Sequence, residues 1–311
     1  MTGKILLISN LLANHGGARA VAESLKPIAA RHPQMVWIDT AYHTHAVELA
    51  RQAAGDGLQK VIAMGGDGTI HQAVNGLMHV PAERRPALGI IPVGSGNDFS
   101  NSLGIPKDPA AALQVALGNN LRPVDIAHIH DDSGHSEYWT NTLGIGFDAL
   151  VNIHSRTINF ARGFWVYFMA ALRTILLNHR PMRLRAIEDG QDWEKRLLML
   201  VICNGRREGG AFLVAPQARQ DDGLLDYLAI GNISRLMMLY TIPFVMNGTH
   251  QRLKYASQGR FAHLELRSDQ PLYIHTDGEI YAGLDSRLHA AVIEVVPGAI
   301  QAVIPWVNGK D

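Results

Sequence analysis

Two glycine-dense turns hold the residue types best suited to chemistry. Gly65, Gly66, Asp67, Gly68 and Thr69 follow an apolar run at residues 61–64, and a helical pattern through Ile70, Val74 and Leu77 follows them. A strand that ends in glycines and opens a helix lets backbone approach an anion and directs amide groups and the positive end of the helix dipole at it. Such a site suits phosphate. A carboxylate at Asp67 would repel polyphosphate unless magnesium intervenes or the side chain turns away to brace the loop. Further along, residues 90–93 run into Gly94, Ser95, Gly96, Asn97, Asp98 and Phe99. At the carboxyl end of a neighbouring parallel strand, this second turn would face the same nucleotide-binding crevice. Ser95 can donate a hydroxyl to phosphate or ribose, and Asn97 and Asp98 can hold nucleotide or a metal-bound water. The alternatives are a ligand-free strand-to-helix turn for the first segment and helix capping for Asp98.

The elements that must position these turns are legible as a rhythm. Apolar runs at residues 5–8, 35–38, 61–64 and 88–91 have the length of buried parallel strands, and helical patterns separate them. The expected fold of the first part is therefore a doubly wound α/β nucleotide-binding domain over residues 1–122. Within it, Ala18, Val21, Ala22, Leu25 and Ile28 mark a helix that Pro27 should kink or shorten. Asp108 and Pro109 read as N-cap and first residue of a helix that Gly118 ends. From residue 123 to 311 the pattern turns mostly β, with runs at 124–129, 138–143, 197–203, 225–230 and 264–266. Residues 131–134 (DDSG) supply a turn, so the first two runs are expected to pair as a hairpin. Return of the C-terminal segment to the first domain is left as an option.

Composition limits the function classes. The 311 residues include 47% hydrophobic and 18% charged side chains, which is a globular rather than a disordered balance. Lys plus Arg and Asp plus Glu both number 28, so no global basic field exists to gather nucleic acid, and contact with lipid must be local. The single cysteine, Cys203, excludes an internal disulfide and fits a reducing compartment. With only a short apolar run near Met1, the expected location is cytoplasmic, with peripheral membrane contact. The most apolar long stretch, residues 158–177, carries Arg162 and Arg173, so it is read as no transmembrane segment. A buried helix is favoured there. Phe160, Phe164, Trp165, Tyr167 and Phe168 keep a helix lying on a bilayer as the second option. Alternating histidines at 43/45 and 128/130 suggest metal ligands only superficially, since no third ligand stands at suitable spacing.

Taken together, the two glycine segments, GGDGTIHQAVNGL and PVGSGNDFSNSLGIP, resemble the diacylglycerol kinase catalytic-domain family, which includes sphingosine, ceramide and bacterial lipid kinases. NTLGIGFDALV at 141–151, NGRREGGAFLVAP at 204–216, DDGLLD at 221–226 and DGE at 277–279 resemble the family's later motifs in their usual order. The resemblance implies a nucleotide-binding α/β domain, a β-sandwich-like second domain and an active site in the cleft between them. It implies ATP contacts from Thr40, from Gly65, Gly66, Asp67, Gly68, Thr69, Ile70 and His71, and from Ser95. It also implies Asp277 as proton acceptor, with Glu279 as a second acid at the catalytic centre. If residues 277–279 are extended, both carboxylates share one face. Without the resemblance, Asp277 and Gly278 read as a hairpin turn. The DDGLLD segment resembles the family's magnesium loop, which implies Asp222 through its side chain and Arg219 and Leu224 through their carbonyls. By spacing alone it is an Asp-Gly turn between strands.

The sequence departs from the family pattern in two places. Asn10 and Leu11 stand where Asn-Pro is usual, and His71 and Gln72 replace the usual Asn and Glu. The resulting expectation is an ATP- and Mg2+-dependent lipid kinase acting on a diacylglycerol-like or sphingoid hydroxyl at the membrane surface, with assembly open up to a homodimer. NAD kinase, which shares the GGDGT loop, and a catalytically silent nucleotide-binding regulator are the alternatives.

Overall fold

The computed structural model describes residues 4–158 and 164–306. Phe160 and Arg162, together with the side chain of Phe164, lie outside the described residues. The chain divides into two compact units, crossing from the first to the second after Asp125 and back before Gly298.

The first unit alternates strands and helices. These are β1 (Ile5–Ser9), α1 (Ala18–Ala29), β2 (Met35–Asp39), α2 (His45–Gly55), β3 (Lys60–Gly65), α3 (Asp67–Met78), β4 (Ala87–Pro92), α4 (Asp98–Ser102) and α5 (Pro109–Leu117). The strands are parallel in the order β4-β3-β1-β2. Every residue of β1, β3 and β4 is buried, because helices cover both faces of a parallel sheet, whereas the edge strand β2 is only half buried. Leu7, Ile8, Ile62, Met64, Leu88 and Ile90 are wholly enclosed, each worth roughly 1.5–3 kcal/mol on burial. The Asp108 carboxylate accepts the Ala111 amide at 2.8 Å with Pro109 at the first helical position, as capping chemistry requires. Pro27 does not end α1. It sits in the last turn, where the helix has little left to lose, and the helix continues to Ala29.

The second unit is mostly antiparallel. Its elements are β5 (Leu121–Asp131) and β15 (Ala290–Val303), which carry the chain in and out, and between them β6 (Ser136–Trp139), β7 (Thr142–Gly146), α6 (Phe147–Ser155), α7 (Phe164–Leu177), β8 (Met182–Glu188), β9 (Gln191–Cys203), β10 (Leu225–Gly231), α8 (Arg235–Met246), β11 (Ala256–Phe261), β12 (His263–Ser268), β13 (Ile274–Thr276) and β14 (Glu279–Ala282). The 13-residue β9 serves two neighbourhoods. Its first half pairs β8, and its second half lies between β7 and β10. Trp139, Leu143, Leu184, Ile202, Phe261 and Ile274 fill the core enclosed by these strands. On the other face of β9 and β10, α6, α7 and α8 pack through Ile175, Leu198 and Met238.

The β5/β6 hairpin forms as expected, with Ala127 opposite Trp139. The expected run at 138–143, however, is two strands: β6 stops at Trp139 and β7 starts at Thr142. The break is held by a side chain distant in sequence, as the site geometry shows. Nor is α7 simply a buried helix. Ala170, Ala171 and Ile175 are buried, while Trp165, Met169, Leu176 and Leu177 are exposed. Among the described residues no helix is long and apolar enough to cross a membrane.

Candidate functional site

In the first unit the two glycine turns meet backbone to backbone. A Cβ built on Gly94 would stand 2.5 Å from the Gly66 Cα, so the approach requires the absence of a side chain. Asp67 ties the loops together: its Oδ2 accepts the Asn97 amide at 2.7 Å. Of the two options open to this carboxylate, the structure shows the bracing one. Asn97, the left-handed N-cap of α4, closes the second loop on itself, with Oδ1 accepting the Gly94 amide at 3.0 Å and Nδ2 donating to the Gly94 carbonyl at 2.8 Å. Asn10 reaches the same site despite the missing proline, donating from Nδ2 to Thr69 Oγ1 at 3.2 Å.

The residues fit phosphate in kind. α3 begins without a side-chain cap, with the Thr69 and Ile70 amides bonded to the Gly66 carbonyl at 3.0 and 3.2 Å, and Asp67 directs Oδ2 at the neighbouring loop. Ser95 is exposed at the tip of the second loop and Asp98 is buried at the start of α4. Thr40 is half buried just past β2, its amide bonded to the Ser9 carbonyl at 2.8 Å. Ile70 is buried in the core. His71 is also buried, 3.3 Å from Asn75 one turn along α3, so both point into protein rather than outward.

In the second unit, residues 277–279 are not extended. Asp277 (φ +51°) and Gly278 (φ +85°) form the two-residue turn between β13 and β14, the hairpin that their types alone suggest. The two carboxylates therefore diverge, and the expectation of a shared strand face is corrected. Asp277 folds back on the β6–β7 break. Its Oδ2 accepts the Thr140 amide at 2.8 Å and the Thr140 hydroxyl at 3.0 Å, and its Oδ1 accepts the amides of Asn141 at 2.8 Å and Thr142 at 3.2 Å. Glu279 pairs with Arg156 at 2.9 Å.

The expected magnesium loop is closed by an arginine. Asp222 accepts the Leu224 amide at 3.3 Å on Oδ1 and Arg260 binds its Oδ2. Arg260 also lies 3.5 Å from Asp226, whose carboxyl burial raises above the usual range. Arg219 pairs with Asp221 at 3.1 Å. The guanidinium of Arg260 thus brings positive charge to both Asp222 and Asp226.

A cluster that no motif announced lies beneath the Asp277 turn. His275, 2% exposed on β13, places Nε2 2.8 Å from Asp148 Oδ2 of α6 and 3.1 Å from Glu208 Oε1. Gly144 makes room for it, since a Cβ there would stand 1.9 Å from the Asp148 carboxylate and 2.4 Å from Nε2. The three ligand atoms lie within 4.8 Å of one another, a spacing that suits either a shared ring proton or a metal ion. The paired histidines noted in the sequence have other work: His128 binds Glu294 at 3.1 Å and stacks on Tyr138, and His45 stacks on Tyr42. The signal that was available for His275 was its place two residues before Asp277, on the strand that leads into the DGE turn.

Burial opposes charge on His275, but the hydrogen bonds to Asp148 and Glu208 outweigh it and push the ring up to about 10. The Gly278 amide approaches Nδ1 at 3.3 Å, a bond that only the neutral ring can accept. A folded-state value above the unfolded 6.5 means stability that is fully present below about pH 6.5 and drains as pH rises towards 10. We expect urea unfolding to show stability falling with a slope of up to about 1.4 kcal/mol per pH unit across that window, and His275→Gln to remove the slope.

This cluster caps a pocket whose wall is mostly apolar. Tyr167, Ala171 and Ile175 of α7, Met238, Ile242 and Val245 of α8, and Leu198 and Ile230 of the sheet line it. Asp148, Asn152, Glu208 and His275 are its polar end. Asn152 stands one turn after Asp148 on α6 and its buried Oδ1 has no hydrogen-bond partner among the described residues.

Comparison with known proteins agrees with this architecture. Residues 4–129 match the diacylglycerol kinase catalytic domain, and residues 141–304 match the YegS C-terminal NAD kinase beta sandwich-like domain. A diacylglycerol kinase of Mycobacterium tuberculosis is 30% identical over 308 residues, covering 97% of this chain and 96% of that protein. The crystal structure of a diacylglycerol kinase from Bacillus anthracis superposes with a TM-score of 0.73 over 98% of this chain and 97% of its own, at 23% identity, and so supports the fold.

Proposed function

Because the chain belongs to the diacylglycerol kinase catalytic-domain family of lipid kinases, we propose that it transfers the γ-phosphate of Mg-ATP to a hydroxyl of a diacylglycerol-like or sphingoid lipid. The observation that carries the acceptor class is the pocket. A soluble dinucleotide has no use for a pocket walled by aliphatic side chains, whereas an acyl or sphingoid chain does, and the polar end meets a hydroxyl-bearing head group. Asn152 Oδ1 is placed to accept from such a hydroxyl.

In this reading the Gly66–Gly94 contact and the first turn of α3 hold the nucleotide's phosphates, and magnesium arrives with the nucleotide as part of the substrate. Thr40, Ser95, Asn97 and Asp98 are proposed nucleotide-side residues. His71 and Ile70 support the loop from inside. Asp277 is the proposed proton acceptor. The four donors already on its carboxylate fill its lone-pair sites, so one must leave before it can take a substrate proton. Only the Thr140 hydroxyl can rotate away without moving backbone. The proton passes from the acceptor hydroxyl to Asp277 as the hydroxyl oxygen attacks the γ-phosphorus, and ADP leaves in line.

The test is transfer of labelled γ-phosphate from Mg-ATP to diacylglycerol, monoacylglycerol, phosphatidylglycerol, sphingosine and ceramide in mixed micelles, with NAD as the soluble control. Label in one lipid is expected, and filling the pocket with Ala171→Trp should abolish it while leaving ATP binding unchanged. Label on NAD alone would overturn the proposal.

A further inference from the structure

The two helices that wall the pocket have a second side. Trp165, Leu176 and Leu177 of α7 and Leu236, Leu239 and Tyr240 of α8 point outward, Leu176 at 70% and Leu236 at 80% exposure. The helices pack on each other through Ile175 and Met238, and Arg235 Nε donates to the Ile175 carbonyl at 2.9 Å, so the outward side chains belong to one helical pair. Scattered exposed apolar residues need no explanation, but this many on two adjoining helices do.

Charge points the same way. The chain as a whole carries equal numbers of acids and bases, yet no Asp or Glu occurs from residue 149 to 187 or from 227 to 264, the two stretches that contain these helices. Those stretches carry ten Lys and Arg. Arg173 on α7, Arg180 just past it and Arg235 at the start of α8 have no carboxylate partner among the described residues. An apolar face rimmed by cations, with acids excluded over both segments, is complementary to an anionic bilayer surface. It is a poor match for a second copy of itself, because a two-fold contact would set arginine against arginine.

We propose that the outward face of α7 and α8 docks on an anionic bilayer, and that acceptor lipid moves from that bilayer into the pocket between the same two helices. The choice of a bilayer rests on the lipid-acceptor reading above; the docking itself is measurable without turnover. The apolar side chains enter the acyl boundary, and the arginines stay at head-group level, each raising the partition about fivefold at low salt.

The experiment is co-sedimentation of the full chain with vesicles of phosphatidylglycerol mixed into phosphatidylcholine, against phosphatidylcholine alone, at two salt concentrations. Binding is expected to the anionic vesicles, falling with salt. Leu236→Glu with Tyr240→Glu, both exposed and outside the pocket lining, should lower it about tenfold or more, with an unchanged thermal midpoint and undiminished turnover of a short-chain, water-soluble diacylglycerol. Equal vesicle binding by the parent and the double variant would overturn the proposal. So would a parent that ignores vesicles and sediments as a dimer that the double variant dissolves. Vesicle binding that is lost in the variant, without turnover of any lipid by the parent, would leave the docking face standing and remove the lipid-acceptor reading instead.

Discussion

Asp277→Asn is expected to lose stability and turnover together. Both oxygens of this carboxylate receive hydrogens: the Thr140 amide and hydroxyl on one, and the Asn141 and Thr142 amides on the other. An asparagine keeps one acceptor and turns an NH2 group towards backbone N–H groups that cannot reverse. Bonds to a charged acceptor are worth about 1.5–3 kcal/mol, and a buried donor left unsatisfied costs about 1–3, so a fall of roughly 2–4 kcal/mol in unfolding free energy follows. Loss of the proposed base removes a further factor of about 10^2–10^4 from the rate. Thr140→Val separates the two roles. It deletes the hydroxyl and spares the three amide bonds, so urea titration should show a loss near 1 kcal/mol, while the freed lone pair leaves turnover close to the parent's. If Asp277→Asn loses turnover at full stability, the carboxylate is a base and not a brace. If it loses stability but keeps turnover per folded molecule, the proton goes elsewhere, and Asp148 with His275 is the nearest alternative.

The same geometry explains what could and could not be read from the chain. The parallel strands were legible because burial on both faces leaves short apolar runs such as residues 61–64, and the glycines after them announce the turns that hold the loops. The α5 helix was legible from its cap alone. The split between β6 and β7 was not, because its cause lies in a carboxylate 137 residues away from Thr140, and no local pattern at 138–143 records it. The extended reading of residues 277–279 failed for a related reason. Two left-handed residues in succession are a tight turn whatever chemistry is assigned to them, and the turn is what aims Asp277 at the break. Asp148 and Glu208 lie in two separate motifs and His275 just before a third, and their meeting depends on Gly144 leaving space, so each looked ordinary by itself. At Asp222 the carboxylate meets Arg260, a partner that only strand pairing of β10 with β11 brings into register.

Gly94→Ala is expected to cost about a hundredfold in kcat/KM for ATP with little loss of fold. The added methyl would stand 2.5 Å from the Gly66 Cα and 2.9 Å from Asn97 Oδ1. Neither neighbour is the far end of a flexible side chain: one is backbone and the other is fixed by two hydrogen bonds to Gly94 itself. The loops must therefore separate by about 1 Å, which stretches the Asp67 bond to the Asn97 amide and misplaces the amides proposed to hold phosphate. Displacement on that scale costs on the order of 10^2 in rate where catalysis depends on positioning. Overpacking of this kind costs about 1–3 kcal/mol, which the enclosed β1, β3 and β4 core should tolerate. Gly55→Ala is the matched control. It ends α2 with nothing within 4 Å of the new methyl, so it should be neutral or stabilising by up to about 1 kcal/mol, with ATP kinetics unchanged. Steady-state kinetics in ATP at saturating lipid, read beside thermal unfolding of both variants, separates the outcomes. A Gly94→Ala enzyme with parent-like kinetics would mean that the two glycine loops do not act as one phosphate site.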